Sequence, residues 1–124
     1  MKIIAVLFSC LVISACYAKD LIPSISNADE LNIKNFGFSY CLTRAQDQSL
    51  SSEAALAMGG YFQQGAYEEP AYKNLKEYIN QSMKAKTEIY KNQARPAILM
   101  SCLELYNSTE YNEMVKLQHH YLIR

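Results

Sequence analysis

The chain has no tryptophan, only two histidines, four glycines and three prolines in 124 residues. The histidines, His119 and His120, are neighbours, so on a helix they point about 100° apart and cannot face one metal ion together. No second histidine pair and no Cys-x-x-Cys completes a ligand set. A solvated helix end accounts for the two rings, since cations suit a helix C-terminus. No Gly-x-x-x-x-Gly-Lys loop follows a strand, so nothing supports a phosphate cradle. An excess of one charge is missing too: 12 basic and 12 acidic side chains, interspersed, leave nucleic acid no basic patch to meet. No apolar run reaches the about 20 residues of a membrane span.

What is present begins with a leader. Lys2 gives a positive start, residues 3–13 an apolar stretch, and Ser14-Ala15-Cys16-Tyr17-Ala18 a run of small residues, the pattern of a secretory signal. Cleavage after Ala18 yields a soluble periplasmic chain starting at Lys19, with residues 19–124 as one domain. A competing route exists, because Ile13-Ser14-Ala15-Cys16 resembles a lipobox in which Cys16 would carry a lipid anchor. Soluble export is the expectation.

Export changes the cysteine arithmetic. Cys10 and Cys16 leave with the leader, and the remaining pair, Cys41 and Cys102, stands 61 positions apart. Two buried thiols are the plain alternative, but two cysteines in an oxidising compartment usually pair. A disulfide across that loop is worth about 4 kcal/mol by chain entropy. That is a large share of the about 5–15 kcal/mol typical of a domain.

Helical periodicity recurs along most of the chain after the leader, with no useful strand alternation and no repeat, and predicts an all-α, compact bundle of about five helices with one intramolecular disulfide. Residues 28–46, capped by Asn27, are apolar on nearly every side, with one narrow polar stripe of Asn32, Asn35, Ser39, Thr43 and Gln46. Other helices should pack around such a helix. Ser51 or Ser52 caps a second helix that ends at Gly65 as a left-handed C′ glycine. Gly59 and Gly60 inside it cost about 2 kcal/mol relative to alanine, which close approach to Gly37 of the first helix would offset. Glu69-Pro70 opens a third helix whose Ala71, Tyr72, Leu75, Tyr78, Ile79 and Met83 form a core stripe. Residues 84–95 lack a sustained period. Pro96 starts a fourth helix bearing Ile98, Leu99, Cys102, Leu105 and Tyr106, and Asn107-Ser108-Thr109 breaks into a last one with Tyr111, Met114, Val115, Gln118, Tyr121 and Leu122.

A catalytic reading finds little. Pairing Cys41 or Cys102 with His119 as a nucleophile needs a free thiolate, and no glycine-rich oxyanion turn adjoins either cysteine. Glu68 and Glu69 are more simply a helix-start charge pair. Tyrosine is the distinctive residue: nine of ten lie beyond the leader, and Tyr61, Tyr67, Tyr72, Tyr90 and Tyr111 fall near expected helix ends or loops, where they suit protein interfaces. Two segments are candidate partner-binding loops. Residues 84–95 carry Glu88, Ile89, Tyr90 and Lys91, and the turn after Gly65 carries Tyr67, Glu68 and Glu69. The alternative for 84–95 is an extension of the third helix with a solvated charged face.

Three short segments are then informative together: Phe38-Ser39-Tyr40-Cys41-Leu42, Gly59-Gly60-Tyr61-Phe62-Gln63-Gln64-Gly65-Ala66-Tyr67, and Ser101-Cys102-Leu103-Glu104-Leu105-Tyr106. With the export signal, they resemble the type VI secretion amidase immunity proteins, in particular the small helical ones that neutralise the fourth family of amidase effectors. The resemblance implies a periplasmic homodimer that binds a cognate cysteine peptidoglycan amidase and blocks its cleft. It implies no catalytic residue, no cofactor and no small-molecule substrate. A small periplasmic adaptor or lipoprotein with another binding role is the alternative, and a small hydrolase a more distant one.

Overall fold

The structure is a computed structural model that describes residues 26–86, 89–91 and 95–123. The expected leader, the cleavage site after Ala18 and the lipid-anchor candidate Cys16 lie outside the described residues, as does Glu88. The described chain forms α1 (Asn27–Leu42), α2 (Gln48–Gln64), α3 (Glu69–Lys84), α4 (Ile98–Asn107) and α5 (Thr109–Leu117), closed by a 3₁₀ turn at Gln118–Tyr121. No strand occurs among the described residues, only isolated bridges between Tyr67 and Leu122 and between Ile89 and Pro96. No helix there is long and apolar enough to cross a membrane.

Side-chain caps set three helix starts. Ser26, not Asn27, caps α1: its hydroxyl accepts from the Asp29 amide at 3.1 Å and donates to the Asp29 carboxylate at 2.8 Å. Asp47 caps α2 through the Leu50 amide at 2.8 Å, four residues ahead of the expected Ser51. Ser108 caps α5 through the Tyr111 amide, as the Asn107-Ser108-Thr109 break implies. At the other end of α1, the Thr43 hydroxyl and one Arg44 guanidinium nitrogen both donate to the Tyr40 carbonyl, and the helix closes before Gln46.

Helix α1 is the hub, packing against α2, α3, α4 and α5. Ile33, Phe36, Cys41 and Leu42 join one core with Leu75 and Ile79 of α3, Cys102 and Leu105 of α4, and Tyr111 and Val115 of α5. The polar stripe of α1 does not face water throughout. Ser39 is buried, and Asn35 accepts a hydrogen bond from Tyr106 Oη at 2.9 Å, so the stripe forms part of an internal polar seam.

The glycines trade roles relative to the expectation. Gly37 is the one that permits close approach: Tyr111 lays its hydroxyl across Gly37 and donates to the Lys34 carbonyl at 2.9 Å. A Cβ on Gly37 would collide with that oxygen and lie 3.1 Å from Ile79 Cδ1. At Gly59 and Gly60 an added Cβ would meet nothing within 4 Å, so no backbone approach offsets their cost. Gly65 is extended (φ −76°, ψ 152°) rather than left-handed; it stays small because Tyr72 Oη occupies the place of its side chain. Burial, with the hydroxyl out of water, pushes the titration of Tyr72 and Tyr111 upward.

Cys41 and Cys102 are bonded, with Cα atoms 5.8 Å apart, tying the C-terminal turn of α1 to the middle of α4.

Two stability outcomes follow from this packing. Cys41→Ser should lower the urea-unfolding free energy by about 4 kcal/mol, and reductant should produce the same loss in the wild type but none in the variant. Gly37→Ala should destabilise by about 1–3 kcal/mol through overpacking against Tyr111, whereas Gly60→Ala should stabilise by about 1 kcal/mol. Thermal melts of the two alanine variants should therefore move in opposite directions.

Candidate functional site

Helix α3 stops at Lys84 and α4 begins at Ile98, so residues 85–97 are a connection and not an extension of α3. That exceeds the about 2–8 residues usual between helices in a bundle. The connection doubles back on itself: the Tyr90 amide donates to the Arg95 carbonyl at 2.9 Å, and Ile89 bridges antiparallel to Pro96. Pro96 explains part of this, since the residue before a proline is driven to extended backbone. Pro96 stays outside α4, and Ala97 is the N-cap.

The folded-back segment presents apolar groups to water. Ile89 is 60% exposed and Tyr90 37%, with Lys91 and Arg95 exposed beside them. Tyr90, Leu50, Pro96 and Leu99 line one hollow of about 200 Å³ between the connection and the starts of α2 and α4. Leu99, Met100 and Leu103 are exposed on α4, while Cys102 and Leu105 of the same helix are buried. Their exposure next to Ile89 and Tyr90 makes a surface richer in large apolar side chains than the connection alone. Residues 97–100 read Ala-Ile-Leu-Met, and four apolar residues in a row cannot all face one core, which is the signal that marks this face.

The second candidate segment differs. Tyr67 is 4% exposed, so its ring belongs to the core and not to an exposed anchor. Its backbone is held by the bridge to Leu122, while the Glu68 amide donates to the Tyr121 carbonyl and the Ile123 amide to the Ala66 carbonyl, both at 2.8 Å. Burial first, then the charges of Glu30 and Asp29, push the Tyr67 hydroxyl up to about 12. Tyr72 and Tyr111, also expected near interfaces, are core residues as well. Glu68 and Glu69 remain exposed at the start of α3. The two segments sit at opposite ends of this 16-residue helix, about 24 Å apart along its axis. They form separate patches.

The groups that could do chemistry are otherwise occupied. Both sulfurs of Cys41 and Cys102 are spent on each other, and both residues are buried, so neither offers a thiolate. His119 is not a solvated ring: Nε2 lies 3.1 Å from Glu30 Oε2, linking the 3₁₀ turn to α1. His120 lies exposed, with Nδ1 2.7 Å from the Leu117 carbonyl oxygen. No cluster of three or more His, Cys, Asp or Glu able to hold a metal occurs among the described residues.

Fold and surface together define a class: a small disulfide-pinned helical domain that leaves Ile89, Tyr90, Leu99, Met100 and Leu103 exposed to water. The chain belongs to the Tai4 family, the type VI secretion system (T6SS) amidase immunity proteins, whose family profile matches residues 31–115. The match runs from the first turns of α1 to Val115 near the end of α5, and so contains both cysteines and the whole connection. No curated protein matches the chain.

The contrast between the two segments is measurable without any partner. Tyr67→Ala should destabilise the fold by about 3 kcal/mol, because it empties a buried aromatic site. Ile89→Ala and Tyr90→Ala should each stay within about 0.5 kcal/mol of wild type in chemical denaturation.

Proposed function

We propose that this chain is exported to the periplasm, matures at Lys19, and there binds a T6SS peptidoglycan amidase and inhibits it by occluding its active-site cleft. The exposed pair Ile89 and Tyr90 at the turn of the 85–97 connection carries this reading, since a family of amidase immunity proteins needs a surface of this kind. Occlusion asks for no reactive group on the inhibitor. A projection that fills the cleft keeps the peptide substrate from reaching the enzyme's nucleophile. Ile89 and Tyr90 act as anchors, and the charged residues next to them in sequence, Glu88 and Lys91, contribute to binding. Glu68 and Glu69, at the far end of α3, supply a secondary contact if the enzyme reaches that far. In this reading the acting species is a homodimer, and sedimentation equilibrium of the mature chain tests that part directly.

The test of the main proposal is co-expression with a periplasm-directed amidase effector. Wild type should protect cells from lysis. Ile89→Ala and Tyr90→Ala should lose protection and bind at least about thirtyfold more weakly, the equivalent of about 2 kcal/mol for a true anchor. If both variants protect and bind as wild type does, the occluding surface is elsewhere on the molecule.

A further inference from the structure

A cavity of about 420 Å³ lies at the base of the connection, between the C-terminal ends of α1 and α3 and the start of α4. Arg44, Lys84 and Lys86 contribute to its lining, and no carboxylate among the described residues does. Lys86 is neutralised by Glu104 at 2.7 Å. Arg44 is different. Its guanidinium donates to the Tyr40 carbonyl and to Asn80 Oδ1 and rests over the Tyr40 ring, all neutral partners, so its charge is met by no acid among the described residues. Lys84 likewise makes no ion pair with a described residue. Two cations thus line one cavity without a counter-charge among the described residues.

Two further features point the same way. Helix α4 starts at the cavity wall, and its N-cap, Ala97, provides no side-chain acceptor, so the first-turn amides are left to a ligand or water. Ser101 also lines the cavity; it is 3% exposed, and its hydroxyl makes no hydrogen bond to a described residue. The Ser101 hydroxyl, open to the cavity and unbonded to any described residue, lies near uncapped amides and a guanidinium that no described acid neutralises, an arrangement that suits a carboxylate. The planar guanidinium donates to its oxygens, the helix dipole favours its charge, and the hydroxyl completes the set.

We propose that this cavity is a carboxylate-binding site, filled by an acidic side chain of the amidase when the two proteins dock. The inference rests on the proposed function, and the location argues for that source. Lys86 and Pro96 are the two feet of the connection that bears Ile89 and Tyr90, so a protein seated on those anchors also covers the cavity mouth. The aromatic anchor supplies area, and the basic cavity supplies orientation and charge selection between amidases.

Acetate is the probe for the chemistry and the amidase for the source. In amide NMR spectra at constant ionic strength, acetate but not chloride should give saturable shifts at Leu99, Met100 and Ser101, and Arg44→Gln should abolish them. Binding of an amidase effector that the wild type captures should weaken at least tenfold in both Lys84→Gln and Arg44→Gln. Arg44→Lys, which keeps charge but loses the bidentate fork, should fall between. Lys84 is exposed, so Lys84→Gln tests the idea even if Arg44 variants fail to fold. Tyr90→Ala should lose the amidase and keep the acetate shifts. Acetate shifts no larger than those in chloride, or wild-type amidase affinity in Lys84→Gln, would overturn the proposal. If the wild type captures no amidase effector, the functional reading fails instead, and the docking role falls with it whatever acetate does.

Discussion

The Cys41–Cys102 bond joins the last turn of the central helix to the middle of α4, and most of the architecture can be referred to it. Helix α4 has ten residues, too few to hold a fixed place on its own helical stability. The bond fixes α4 against α1, and with it the end of the connection that leads into α4. Residues 85–97 can then fold back on themselves from two secured ends, α3 on one side and the bonded helix on the other. The same bond removes the Cys41 and Cys102 sulfurs from chemistry, so one constraint provides stability and leaves neither as a thiolate.

Around that tie, the hub helix is held by polar groups as much as by apolar ones. Tyr111 reaches over Gly37 to the Lys34 carbonyl, Tyr106 bonds Asn35, and Tyr40 bonds Asn80 of α3. Each is an aromatic ring that fills core volume and ends in a hydroxyl satisfied on another helix. Apolar packing alone would let short helices slide along α1; these hydroxyls fix their positions. The abundance of tyrosine and lack of tryptophan therefore serve the interior first. Tyr90 is the tyrosine that the connection turns outward.

The two ends of α3 have become different surfaces. At its start, Tyr67 and the backbone bonds to residues 121–123 lock the turn into the core, leaving a rigid acidic corner at Glu68 and Glu69. At its end, the chain leaves the core for the connection, and apolar groups face water beside basic ones. A single amphipathic helix thus spaces an acidic patch from an apolar, basic one by about 24 Å.

The sequence alone determined the features that depend on local chemistry and on compartment. Helical periodicity, the capping run at Asn107-Ser108-Thr109, the all-around apolar character of α1 and the count of two cysteines beyond the expected leader lead to the bundle and its disulfide. The length of the segment before Pro96 marked the connection as well, with Ile89 and Tyr90 on it. Tertiary structure decided what depends on which neighbour arrives. Tyr67 and Tyr90 look alike in sequence, an aromatic beside charges near a helix end, yet the first is covered by the chain terminus and the second is not. Gly37 and Gly59 are both helical glycines, and only the ring of Tyr111 distinguishes them. The basic cavity unites Asn80 and Lys84 of α3, Ser101 of α4 and Arg44 of the turn after α1, so no local pattern contains it. Burial and clustering are pairwise properties of residues far apart in the chain, and only the packed fold supplies the pairs.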